Sequence, residues 1–235
     1  MLKAGFILLT VTLAILLFAG ASFAGNRAFT RVSELRKFKI KVALALTGWL
    51  IYVTLLSIKG VFTIASLPPR IPLLLILPAF IFFAYFFTNS KFRKIIDATP
   101  AALPVYFQSF RVFVELLILG LSVDGMLPKA ATFEGSNYDI AIGITAPLVA
   151  YFAFPNNASG KLVALLWNIA GLITLLIVVV ILLSHAYFYS HLGENESILN
   201  KGLGIFPYTF LAGFLMPLAV FLHIYSIVKI KRLGR

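Results

Sequence analysis

The sequence predicts an all-α fold, a polytopic bundle of transmembrane helices that forms a single domain over residues 1–235. Composition supports this prediction, because 61% of the residues are hydrophobic and only 12% are charged. Soluble domains average about 45–50% apolar and about 25% charged residues, and a soluble chain of this size has too little interior to bury the excess. Seven apolar stretches, each of roughly membrane-spanning length, complete the argument.

Each stretch is predicted to form one membrane-spanning helix, since about 20 apolar residues are needed to cross a bilayer core. Residues that interrupt helices, such as Pro68, Pro69 and Pro100, fall in the connections. No connection is long enough for a separate soluble domain. The predicted spans are 4–24, 41–65, 71–88, 104–123, 138–154, 162–187 and 205–230.

The distribution of positive charge predicts the orientation of the chain. Lysine and arginine are concentrated after the first span, between Arg27 and Lys41, and again after the third span, around Lys91. Positive connections stay in the cytoplasm, so the N-terminus is predicted outside and the C-terminus inside. We expect the first segment to be retained as a helix and not cleaved as a signal, because cleavage would leave its basic flank outside.

Composition also limits the chemistry. The net charge of +12 is interpreted as a signal of topology, with membrane lipids as the natural partner and no nucleic acid expected. The chain has no cysteine and only 3 histidines, so we expect neither a metal site nor a cofactor. No HExxH, P-loop or GxSxG motif is present, which disfavours the common enzyme classes.

The fourth span contains the strongest candidate site. Gln108, Arg111, Glu115 and Ser122 fall within about 60° of one another on a helical projection. Arg111 and Glu115 are spaced i, i+4 and are expected to neutralise each other, although this order is the less favourable one and suggests partners on other helices. Two interpretations stay open, a structural ion pair that fixes helix packing and a site for a ligand or ion.

Two further polar residues are predicted at the same depth. Asn168 and His223, like Arg111, lie about two turns from the cytoplasmic ends of their spans. Small residues on the same helix faces permit close approach, which favours a shared polar cavity that opens to the cytoplasm. The alternative is an interhelical hydrogen bond for each residue. The candidate ligand-binding residues are therefore Gln108, Arg111, Glu115, Asn168 and His223.

A second cluster is predicted on the outer side and comprises Glu134, Asn137 and Asp139. Ser136 and Asp139 have the spacing of a capping box at the start of the fifth span, which explains these residues without any ligand. An outer gate or ligand site is the alternative interpretation.

The last four spans contain several recognisable motifs. They are Gln108-x-x-Arg111-x-x-x-Glu115, Thr132 to Ile140, Gly143-Ile144-Thr145-Ala146-Pro147, Trp167-Asn168 with Gly171-Leu172, and Phe206-Pro207 with Pro217 and Leu222-His223. Together these motifs resemble an uncharacterised family of bacterial integral membrane proteins with about seven helices. The resemblance implies a bacterial inner-membrane location and supports the polar positions above, but it implies no activity. Ser136 departs from the family, in which a basic residue is usual.

The sequence favours a protein that binds or transports a small molecule or ion. Arg111 would hold an anionic group, Glu115 would balance its charge or carry a proton, and His223 could titrate near neutrality. The alternative is a membrane scaffold or sensor subunit without catalytic activity, and an intramembrane enzyme acting on lipid is the least favoured reading. The sequence predicts no catalytic residue and no oligomeric state.

Overall fold

The computed structural model describes residues 1–154 and 158–233, and every regular element in that part of the chain is a helix. Short 3-10 or π-helical turns join some of the α-helices, so that residues 103–123 run as one rod and Pro72–Ile76 leads directly into the third helix. The α-helices are α1 (Leu2–Ala28), α2 (Val32–Ile58), α3 (Leu77–Thr88), α4 (Arg93–Ala98), α5 (Leu103–Phe107), α6 (Arg111–Val123), α7 (Asp139–Phe152), α8 (Ala158–Tyr187) and α9 (Met216–Arg232).

Within the described residues, five helical rods are long and apolar enough to cross a membrane. A sixth is obtained if Pro72–Thr88 and Ser90–Ala98, which meet at an angle of 72°, count as one bent span. The helical, membrane-compatible fold predicted from composition is thus confirmed. The predicted count of seven is not reached, because α7 has 14 residues and a length of about 21 Å, shorter than a bilayer core of about 30 Å.

The short length of α7 follows from where it begins. The chain turns at the end of α6 and folds back along it, so that Asn137 contacts Glu115 and Asp139 contacts Arg111. Thr132 in this returning segment is completely buried. Irregular backbone at this depth is tolerated in a membrane protein when other protein atoms surround it. Residues 124–138 therefore cover the C-terminal part of α6, and α7 covers the rest.

Burial differs strongly between the two ends of the sequence. In the most apolar window of the rod Leu211–Arg232, 61% of the residues are buried, against 11% in Val32–Ile58. Glycines allow the later helices to approach closely, since Gly143 lies against the backbone at Val112 and Gly171 lies against the imidazole of His223. The core that positions polar side chains is thus formed mainly by α6 to α9, while α2 presents apolar side chains outward.

Candidate functional site

Arg111 is the centre of the buried polar residues, and its ion pair is with Asp139. The Arg111 Nε donates to Asp139 Oδ2 at 2.9 Å, and Nη2 donates to Oδ1 of the same carboxylate. Arg111 is 1% exposed and Asp139 is 4% exposed. The sequence left two alternatives for Arg111, a pair with Glu115 and a partner on another helix; within the described residues its only ion pair is with Asp139, on another helix. A carboxylate at the start of α7 offers both oxygens to the guanidinium fork.

His223 is fixed in one protonation form by its neighbours. Arg111 Nη1 lies 2.8 Å from His223 Nε2, and a guanidinium can only donate, so Nε2 accepts. The ring proton therefore sits on Nδ1, which donates to Asn168 Oδ1 at 2.9 Å. A second proton on Nε2 would face the guanidinium directly. The imidazole is thus neutral in this arrangement, which does not support the expected titration of His223 near neutrality.

Asn168, on α8, forms hydrogen bonds to both His223 and Ser226 on α9. Its Nδ2 donates to Ser226 Oγ at 2.9 Å and to the Ala164 carbonyl at 2.7 Å. On the other side of Arg111, Nη2 also reaches Thr174 Oγ1 at 3.1 Å. Sequence reasoning did not single out Thr174, and a threonine within an apolar helix gives no signal that would have revealed it. The common depth of Arg111, Asn168 and His223 did indicate their meeting.

Asn137 joins Glu115 to this arrangement. Its Nδ2 donates to Glu115 Oε2 at 2.7 Å and to the Ala131 carbonyl at 2.9 Å, while its Oδ1 accepts from the Asp139 backbone N–H at 2.9 Å. The predicted capping box is therefore wrong. The side chain of Asn137, not that of Ser136, accepts a hydrogen bond from the first N–H of α7, and Ser136 is exposed. The carboxylate of Asp139 accepts hydrogen bonds from Arg111.

These contacts define what we call the buried network. It links residues that the sequence placed in two separate clusters, one on the cytoplasmic side and one on the outer side. Its members are Glu115, Asn137, Asp139, Arg111, Thr174, His223, Asn168 and Ser226.

Two of the predicted site residues lie outside the buried network. Glu134 is exposed and lies 3.6 Å from the Lys129 ammonium, so it belongs to the surface. Gln108 is completely buried one turn before Arg111, and its Nε2 donates to the Ala219 carbonyl at 2.9 Å. Its Oε1 has no hydrogen-bond partner within the described residues. Gln108 is therefore a neighbour of the buried network with one free acceptor.

Residues 68–231 match a family described as Domain of unknown function (DUF8737). The chain belongs to the DUF8737 family. This agrees with the resemblance to a family without an assigned activity, and the match also includes the third predicted span. No curated protein and no solved structure matches the chain. Every member of the buried network falls inside the DUF8737 region, whereas α1 and α2 precede it.

Two cavities stand out among the described residues of this DUF8737 protein, and the buried network lines neither of them. One is an apolar crevice of about 340 Å³ between the chain before α3 and helices α8 and α9. The other, of about 410 Å³, lies at the end of the bundle where α1, α7 and α9 terminate. The members of the buried network are therefore packed against one another and do not surround either open volume. No group of three or more potential metal ligands occurs in the described part of the chain.

Proposed function

We propose that this DUF8737 protein is a multi-pass protein of a bacterial inner membrane that binds or transports a small molecule or ion at the buried network. We further propose seven spans, with the N-terminus outside and the C-terminus in the cytoplasm. The clustering of basic residues in alternate connections supports this orientation. The returning segment 124–138 and α7 together supply the remaining crossing, because the segment accompanies the outer part of α6.

The observation that carries the proposal is the excess of carboxyl groups in the buried network. It contains two carboxyl groups, from Glu115 and Asp139, but a single guanidinium, which is paired with Asp139. Glu115 is 1% exposed, and its hydrogen-bond donor is the neutral amide of Asn137. An uncompensated carboxylate is costly at membrane depth. Glu115 is thus the group that takes up a proton or another cation.

The contacts of Glu115 explain how its charge would influence the helices. Asn137 touches both Glu115 and the backbone of Asp139, so it transmits any shift of the carboxyl group to the start of α7. An ionised Glu115 repels Asp139 and competes with it for Arg111. Occupation of Glu115 by a proton or cation therefore favours the packed arrangement, and its release favours a rearranged one.

The proposal is tested with purified protein in liposomes that contain either a pH-sensitive or a sodium-sensitive dye. We expect proton or sodium flux above that of empty liposomes, and loss of the excess flux in the variant Glu115→Gln. Glu134→Gln is the matched control, because it removes the same charge from an exposed position outside the buried network. Absence of flux in the original protein, or equal flux in both variants, would contradict the proposal.

A second candidate, a scaffold or sensor subunit, is favoured by one specific observation. Arg111 and Asn137 each donate to several partners, and neither residue lines either of the two cavities described above. Such packing is what a structural lock between helices requires. This candidate predicts no flux in any variant, together with an intact fold when Arg111 and Asp139 are both replaced by apolar residues.

A further inference from the structure

The larger cavity lies at the end of the bundle opposite the turn between α6 and α7. Its volume of about 410 Å³ is within the range of small-molecule sites, which is about 300–1,000 Å³. The walls come from the ends of α1, α4, α7 and α9, from the connection between α4 and α5, and from the first turn of α8. We call this cavity the basic pocket because of its charged side chains, Arg27, Lys161, Lys229 and Asp97.

Among the residues that the structure describes, the three cations that line the basic pocket have no carboxylate partner. Arg232 holds both oxygens of Asp97, at 2.6 Å each, so the carboxylate in the pocket wall is already neutralised. Within the described residues, neither Arg27 nor Lys161 nor Lys229 forms an ion pair. Three positive charges that form no ion pair among the described residues therefore line the pocket.

Lys229 is the cation of the basic pocket whose burial most favours the binding of an anion. It is 6% exposed, and its ammonium donates to the Asp97 carbonyl at 2.6 Å, which leaves two further N–H groups. The charge of Asp97 attracts it, whereas the charges of Arg232 and Arg27 repel it. Because the Asp97 carboxylate is held by Arg232, burial of the Lys229 ammonium is costly, and an anion in the pocket would reduce that cost.

We propose that the basic pocket binds a phosphate-bearing anion, the chemistry shared by acidic phospholipid headgroups and free phosphate esters. Phosphate oxygens accept several charge-assisted hydrogen bonds at once and fit a guanidinium fork together with ammonium groups. Basic pockets between helix ends are suited to anionic headgroups. Ala101 and Phe154 give the same pocket an apolar wall, against which glycerol or the start of an acyl chain can pack. This inference does not depend on the role of Glu115.

The test measures binding to the full-length protein in a neutral detergent, by the rise in melting temperature with added ligand. The ligands are a short-chain phosphatidylglycerol, glycerol phosphate and a short-chain phosphatidylcholine. The test variant combines Arg27→Gln with Lys161→Gln and leaves the buried Lys229 in place. The matched control combines Arg36→Gln with Lys91→Gln, which removes two exposed cations outside the pocket.

We expect the original protein and the control to bind phosphatidylglycerol in preference to phosphatidylcholine, and the test variant to bind it about 30-fold more weakly. Stabilisation by phosphatidylglycerol but not by glycerol phosphate identifies a lipid headgroup as the natural ligand. Stabilisation by both identifies a site for the phosphate group itself. The proposal is overturned if neither anion stabilises the protein, or if the test variant and the control bind phosphatidylglycerol equally.

Discussion

The buried network and the basic pocket contain similar charged groups in opposite arrangements. In the buried network, Arg111 and Asp139 neutralise each other and their neighbours fill the space around them. In the basic pocket, Arg27, Lys161 and Lys229 line an open volume, and none of them forms an ion pair within the described part of the chain. The difference teaches that a charge deep in the bundle needs its partner for the fold to remain stable, whereas charges without an ion pair at the helix ends are available to a ligand.

The largest effect is expected when one side of the buried ion pair is removed. Arg111→Met leaves the carboxylate of Asp139 without its partner, so we expect the free energy of unfolding to fall by about 3–5 kcal/mol. Adding Asp139→Leu should recover most of this loss, because an apolar pair carries no buried charge. Chemical unfolding of the purified protein measures both values. A double variant that is as unstable as Arg111→Met would argue against the pairing.

Removal of the hydrogen-bonding link between α8 and α9 should have the next largest effect. Asn168→Ala deprives the Nδ1–H of His223 of its acceptor and Ser226 of its donor. Unsatisfied buried groups of this kind cost about 2–3 kcal/mol in the free energy of unfolding. The same unfolding experiment applied to Ser226→Ala, which removes only one contact, should show a smaller loss. Equal losses would indicate that the His223–Asn168 contact contributes little.

A larger side chain next to the buried network should lower the free energy of unfolding somewhat less than the loss of one of the network's own side chains. A Cβ atom added at Gly171 would collide with the imidazole of His223, which hydrogen bonds hold in place. We expect Gly171→Ala to lower the melting temperature, with a loss of about 1–2 kcal/mol. The control is Gly48→Ala in α2, where a Cβ atom meets nothing within 4 Å and the alanine favours the helix. Destabilisation by both substitutions would show that the effect is not specific to His223.

The smallest effect on stability is expected at the basic pocket. The Asp97–Arg232 pair has the same bidentate form as the buried pair, but the two side chains are 52% and 30% exposed. Asp97→Asn should therefore change the free energy of unfolding by less than about 1 kcal/mol. It also releases Arg232 as a further cation, so affinity for phosphatidylglycerol should rise. Thermal unfolding with and without the lipid measures both changes, and a fall in affinity would contradict the assignment.

The local sequence pattern predicted part of the candidate site, but it did not predict the contacts between segments that are distant in sequence. The depth of Arg111, Asn168 and His223 could be counted along each apolar stretch, and the structure brings these three side chains together. Helical spacing indicated Glu115 as a partner of Arg111, because the spacing of residues along a sequence identifies only neighbours on the same helix. Asp139 lies 28 residues away from Arg111, and its position depends on how the chain after α6 folds back.

The amino-acid sequence alone determined that this chain forms apolar helices, since hydrophobic content and the length of apolar stretches are local properties that water and lipid impose directly. The tertiary structure decided which carboxyl group neutralises Arg111, that Asn137 connects Glu115 with Asp139, and that the open volume lies among the cations at the helix ends. Those outcomes depend on the relative placement of helices and of the segment between α6 and α7. Only packing fixes that placement, because a charge in a medium of low dielectric constant pairs with the nearest suitable group in space, whatever its distance in sequence.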